Sequence, residues 1–201
     1  MFIINNRSFF YIFLLTLIKF KFILFMVGGN KMLDKKIVEL LNDQVNKEFY
    51  SAYLYLDFAN FYKDKGLDGF ANWYNIQAQE ERDHAMLFVQ YLQNNNERVI
   101  LEAIDKPDKN LNALKDPLVE GLEHEEYVTS LIHNLYNAAY SIKDFRTMQF
   151  LDWFVKEQGE EETNANDMIT KFDLFGNDPK GLYMLDSELA NRVYSAPSLT
   201  L

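Results

Sequence analysis

At 201 residues the chain is long enough to bury one sizeable core. It has no cysteine, which rules out disulfides, zinc ribbons, rubredoxin-type iron sites and iron–sulfur clusters, and which fits a reducing compartment. The net charge of −10 argues against nucleic-acid binding, and it is unevenly placed: all 30 acidic side chains but only 16 of the 20 basic ones lie beyond residue 31.

Residues 1–31 stand apart. Phe9 to Ile18 and Phe22 to Val27 are apolar runs, broken by Lys19 and Lys21 and preceded by Arg7. Either run alone is short for a bilayer, and together they read as a signal peptide or a poor anchor. No Ala-x-Ala-like cleavage site follows. Gly28-Gly29-Asn30-Lys31 can be encoded by a purine-rich, ribosome-binding-type sequence placed just before the codon of Met32. Met32 is therefore expected to be the true start. Membrane association is expected only if the extension is real.

The body reads as all-α. A first helix is expected from Met32 to about Lys65, with the apolar stripe Ile37, Leu41, Gln44, Glu48, Ala52, Tyr55, Ala59 at helical spacing. Lys65-Gly66-Leu67-Asp68 turns the chain, and Asp68 is placed to cap the next helix. That second helix runs to about Asn94, with the stripe Phe70, Tyr74, Gln77, Glu81, His84, Phe88, Tyr91. Residues 95 to about 116 form a long connection whose geometric reason would be a crossover along the length of a bundle, bringing the second and third helices parallel. The third helix is expected from about Pro117 to Ser141 (Leu118, Leu122, Glu125, Val128, Ile132, Leu135, Ala139) and the fourth from about Asp144 to Phe172 (Leu151, Phe154, Gln158, Glu161, Ala165, Met168, Phe172). After Gly176-Asn177-Asp178-Pro179 a short fifth helix covers Lys180 to Val193, and residues 193–201 read as a flexible tail. No β-alternation or Gly-rich phosphate loop occurs.

The informative feature is what interrupts the stripes. Glu81 and His84, three residues apart, share one helix face and could offer a carboxylate and an imidazole to iron, manganese or zinc. Glu48, Glu125, and Gln158 with Glu161 intrude in the same way on the other three helices. Buried acids are rare, and four at matching depth would repel one another unless cations lie among them. The pattern approximates a di-metal carboxylate bundle, in which two helices give one Glu each and the other two a Glu-x-x-His.

The segments NKEFYSAYLY (46–55), AQEERDHAM (78–86), HEEYVT (124–129), FLDWFVKEQGEEE (150–162) and GLYMLDSEL (181–189), in this order and spacing, resemble the prokaryotic non-haem ferritins over residues 32–192. The resemblance implies a ferritin-like four-helix bundle with a long crossover and a short fifth helix. It implies a dinuclear iron centre with two Fe per subunit: Glu48, Glu81 and His84 at the first iron, Glu81 bridging, Glu125 and Glu161 at the second, and Gln158 adjacent. It further implies an outer third site of Glu80, Glu157 and Glu160, with Tyr55 and Trp153 beside the pair. The implied activity is ferroxidase, oxidation of Fe(II) by dioxygen or hydrogen peroxide, with ferric mineral stored in a cytoplasmic homo-oligomeric cage of twenty-four subunits.

The chain departs from relatives of that pattern. Bacterioferritins carry a second Glu-x-x-His where this chain has Gln158 and Glu161, and a haem-ligand methionine where it has Arg82 and Asp83, so no haem is expected. Rubrerythrins need a cysteine-rich module. Mini-ferritins lack the fifth helix. His124 and His133 receive no ferritin role and read as satisfied or solvated. The alternative function is a metal-buffering bundle with little oxidase turnover, and an oxygenase would need a substrate cavity and electron-transfer partners.

Overall fold

A computed structural model describes residues 32–201. The expectations for residues 1–31 lie outside the described residues. Five helices occur among those described, and no strand: α1 Lys35–Asp64, α2 Asp68–Asn94, α3 Asp116–Ser141, α4 Phe145–Phe175 and α5 Pro179–Leu189. Each forms where apolar residues recur at helical spacing, and three begin on an aspartate that accepts a hydrogen bond from a first-turn amide. Asp34 accepts from Lys36 N at 2.8 Å, Asp144 from Thr147 N at 3.1 Å and Asp178 from Gly181 N at 2.7 Å. The stripes of α1 and α2 are buried throughout, whereas Leu122 on α3 and Ala165 on α4 are only half-buried.

α1 and α2 form an antiparallel hairpin, turned at Gly66 with φ +76°, where a side chain would be strained. Tyr62 near the end of α1 stacks on Phe70 near the start of α2. At the far end of α2, Tyr91 bonds Thr147 at the start of α4, so these two helices are also antiparallel. The crossover follows α1. Ile100 N donates to Asn42 Oδ1 at 2.7 Å, Asn46 Nδ2 to the Ala103 carbonyl at 3.0 Å, and Tyr62 OH to the Leu114 carbonyl at 2.7 Å. Asn42 and Tyr62 are about 30 Å apart along the helix. The loop thus spans the bundle, and α2 and α3 run parallel.

The interior is divided. One apolar cluster joins the start of α1, the end of α2, the second half of α3 and the start of α4, around Leu41, Phe88, Leu92, Ile132 and Phe154. A second joins the opposite ends and α5, around Tyr55, Phe58, Phe70, Leu118 and Phe172. The layer between them holds Glu48, Glu81, His84, Glu125, Gln158 and Glu161, all buried.

α5 docks on the start of α2. Asp186 Oδ1 accepts from Gly69 N at 2.8 Å and from Phe70 N at 3.0 Å, so a carboxylate from α5 satisfies free amides of α2 and meets the positive end of its dipole. Asp68, expected as the cap, instead accepts from Lys63 Nζ at 2.7 Å, and the residue preceding α2, Leu67, makes no side-chain cap. Gly69 permits the approach: a Cβ there would lie 1.7 Å from the Asp186 carbonyl oxygen. α5 ends at Leu189, short of the expected Val193; beyond it Asn191 N and Arg192 N close tight turns on the Glu188 and Leu189 carbonyls at 3.1 and 3.2 Å, and Asn72 Nδ2 donates to the carbonyls of Leu189 at 3.2 Å and Arg192 at 3.1 Å. Residues 193–201, read as a flexible tail, form no helix. They lie across the bundle nonetheless: Tyr194 OH donates to Asp83, Trp153 Nε1 donates to Ser198 Oγ at 3.0 Å, and Leu199 packs on the first cluster.

Candidate metal centre

Mid-helix positions on four helices build the centre, and the 3.6-residue period turns them inward at one depth. Ligand atoms of Glu48, Glu81 and His84 all lie within 4.8 Å of one another. His84 Nδ1 is 3.3 Å from Glu81 Oε2, and the two residues sit one turn apart on α2. The His84 ring meets Trp153 edge-on at 5.5 Å between centroids. Across the bundle, Tyr55 OH donates to Glu125 Oε1, and Gln158 Nε2 donates to Glu125 Oε2 at 3.1 Å. Gln77 Nε2 donates to Glu161 Oε2 at 2.6 Å, and Gln44 Nε2 to Glu48 Oε1 at 2.8 Å. Beside Tyr55, Gln77, Glu125 and Glu161 lies a cavity of about 10 Å³, room for about one water.

Electrostatically the centre is under-charged. No lysine or arginine of the described residues pairs with Glu48, Glu81, Glu125 or Glu161. Burial, followed by the Glu81 carboxylate, pushes Glu48 up to about 8. Burial, followed by Glu125, pushes Glu161 up to about 8. Glu81 rises well above the carboxylate range through burial and then Glu125 and Glu161. Glu125 rises through burial, and the hydrogen bonds from Tyr55 and Gln158 oppose the rise. Burial and then Glu125 hold the Tyr55 phenol well above its usual range, so it stays a donor. Glu48 Oε2, Gln77 Oε1 and Glu81 Oε1 are buried without a hydrogen-bond partner. Unpartnered buried acceptors of this kind are expensive in a protein interior. A divalent cation among Glu48, Glu81 and His84 would satisfy the two carboxylate oxygens, so these residues fit an oxygen- and nitrogen-ligated metal site.

The predicted outer acids are placed differently. Glu80 and Glu157 are half-buried beside the centre, and Glu160 is exposed. Glu80 Oε2 takes Arg192 Nη2 at 2.6 Å, and Glu160 takes Lys156 Nζ at 2.9 Å. Burial raises Glu80 and Arg192 pulls it down, with a net upward shift; burial also raises Glu157, with Glu160 adding to it. Sequence reasoning missed the residues that orient the carboxylates. Gln44 and Gln77 sit in the core-facing stripes, where a polar residue among apolar ones was the available signal; Arg192 and Trp73 had none. His124 is buried, accepts or donates one bond with Ser51 Oγ at 2.8 Å, and is held down to about 4 by burial, hence neutral; His133 is exposed.

The ferritin-like domain profile matches residues 38–175. The chain belongs to the ferritin family. It is 37% identical over 160 residues to the bacterial non-haem ferritin of Campylobacter jejuni, covering 80% of this chain and 96% of that one. It is 37% identical over 163 residues to the bacterial non-haem ferritin of Staphylococcus saprophyticus, covering 81% and 98%. Among solved structures it resembles an engineered closed form of the Archaeoglobus fulgidus ferritin, with 42% identity, TM-score 0.79 and coverage of 81% and 99%. The open-pore ferritin of the same archaeon matches at TM-score 0.78 and 42% identity, over 80% and 98%. The ferritin fold accounts for the crossover, the fifth helix and the polar layer together. No helix among the described residues is long and apolar enough to cross a membrane.

Proposed function

We propose that this ferritin stores iron, oxidising Fe(II) at the polar layer and depositing ferric oxyhydroxide inside a cytoplasmic, hollow homo-oligomeric cage of twenty-four subunits. One observation carries the reading: the ligand atoms of Glu48, Glu81 and His84 meet within 4.8 Å in a layer where buried carboxylate oxygens lack partners. Fe(II) is the substrate. In this reading Glu48 and His84 take the first ion, Glu81 spans both, and Glu125 and Glu161 take the second. Gln158 and Tyr55 hold Glu125 in orientation. Carboxylates bind Fe(III) more strongly than Fe(II) and so favour loss of the electron.

The balance is simple. Two Fe(II) give one electron each to dioxygen, which with two protons becomes hydrogen peroxide; with peroxide as oxidant, two Fe(II) again give one electron each, and two protons complete two waters. Protons displaced from Glu48 and Glu161 as the ions bind are available locally. The product must then leave, because a single bundle has no room for mineral, and Glu80, Glu157 and Glu160 lie on the way out as the third site. The test is anaerobic loading of the full chain with Fe(II) followed by oxygen. Rapid growth of near-ultraviolet absorbance at two Fe per subunit, from a species of cage size in size-exclusion chromatography, is expected. Tight binding without oxygen-dependent absorbance would make the protein a metal buffer, and a monomer or dimer would remove the storage reading.

A further inference from the structure

The tail reaches the outer acids through one residue. Arg192 Nη2 donates to Glu80 Oε2 at 2.6 Å, its Nη1 donates to the Trp73 carbonyl at 3.2 Å, and its guanidinium carbon lies 4.5 Å from the centre of the Trp73 ring. Both members of the ion pair are largely covered, with side-chain exposures of 22% and 17%. A planar guanidinium that stacks and pairs at once is held far more firmly than a surface lysine. The segment around it is fastened on both sides. Asn72 holds the Arg192 carbonyl, and beyond it Tyr194 bonds Asp83 and Ser198 accepts from Trp153. Residues 190–199 are therefore a strap, running from α5 over α2 to α4. Trp73, beneath the guanidinium, lines the small cavity beside Glu125 and Glu161. It also lines a larger one, about 420 Å³, that it shares with Asp167, Lys171, Glu188 and Arg192.

We propose that Arg192 is a built-in cation occupying the Glu80 corner of the outer acids, and that a metal ion entering there displaces it and releases the strap. This rests on reading Glu80, Glu157 and Glu160 as the outer part of the dinuclear centre. The physical reason is competition. One carboxylate cannot give the same oxygen at full strength to a guanidinium and to a metal ion. The inner carboxylates have no cationic side chain to displace and fill first; the Glu80 corner fills last. Once Glu80 turns to the ion, Arg192 keeps its stacking on Trp73 and its carbonyl bond, and the strap loses its ion pair to α2 while Asn72, Asp83 and Trp153 still hold it. Ion arrival and loosening of the strap are thus one event.

The test uses the full chain without iron, and Zn(II) alone as a redox-inactive probe. The chain has no cysteine, so a nitroxide spin label on Ser195→Cys, an exposed strap position, reports strap motion alone. In the otherwise unchanged chain, the label's electron-resonance line shape is expected to stay constant while two Zn(II) bind per subunit and to sharpen when a third binds. Arg192→Met keeps an apolar stem over Trp73 but cannot pair with Glu80. In it, the label should tumble about twofold faster with no metal present, and the third Zn(II) should bind about tenfold tighter, the effect of removing about 1.4 kcal/mol of competing interaction. Arg192→Lys, which keeps the charge without the fork, should fall between the two. Equal label mobility in the metal-free labelled chain with and without Arg192→Met, or an unchanged third-ion affinity, would overturn the latch. Failure of both proteins to bind two tight Zn(II) would sink the dinuclear reading instead, and the metal-free mobility comparison would still decide the latch.

Discussion

Glu48→Gln isolates the proton that burial holds on this carboxyl group. Glu48 titrates near 4.5 when unfolded and is pushed up to about 8 when folded, so between these values the folded protein holds a proton that the unfolded chain has released. Stability from this group is fully present below about pH 4.5 and is lost as pH rises through about 8, at about 1.4 kcal/mol per unit in between. From about pH 6 to pH 8.5 the metal-free parent should lose about 2–3 kcal/mol through Glu48 alone. For a chain of this size that is a fall in Tm of about 5–10 °C. Gln is near-isosteric and neutral at every pH, and Gln44 Nε2 can still donate to its carbonyl oxygen. The variant, flat in pH at this position, should therefore gain about 2–3 kcal/mol on the parent between about pH 6 and about pH 8.5. Glu161, also near 8, leaves a residual slope in both proteins. The assay is differential scanning calorimetry of metal-free protein across this range, read as the variant-minus-parent difference in Tm. Parallel profiles would refute the reasoning, since they would mean that Glu48 ionises in the folded protein much as it does in the unfolded chain. Adding Zn(II) to the parent should flatten its profile, because ligating carboxylates are ionised throughout.

Glu81→Ala should abolish the fast phase of Fe(II) oxidation while the metal-free protein folds and melts at or above the parent temperature, as one of four mutually repelling carboxylates is gone; oxidation of two irons per subunit at the parent rate would show that the centre is elsewhere. Glu160→Ala, at an exposed position paired with Lys156, should alter the iron-to-oxygen stoichiometry in stopped-flow oxygen uptake and leave the initial two-iron phase intact. Asp186→Ala removes the carboxylate that bonds Gly69 N and Phe70 N and should destabilise the α5 docking by about 1–2 kcal/mol, seen as faster hydrogen exchange in Pro179–Leu189. Gly69→Ala should act more strongly on the same readout, because its Cβ would meet backbone rather than a movable side chain.

The helices and their inward faces are legible in the residue order alone, because helix period is local: once Ile37, Leu41 and Tyr55 must face a core, Glu48 between them has no other direction. The same logic aligned Glu81 with His84 and Gln158 with Glu161, and the family resemblance carried the di-metal pattern from there. Which groups serve those ligands depends on how the helices pack. Asp186 caps α2 from more than a hundred residues away, displacing the local candidate Asp68, because a carboxylate on another helix can reach two free amides that Asp68 does not. Gln77 serves Glu161, and Arg192 serves Glu80, across distances along the chain that periodicity does not encode. The strap was the least legible element. Its residues have no helical period, and it is placed by single contacts of Arg192, Tyr194 and Ser198 with helices whose positions exist only once the bundle has formed.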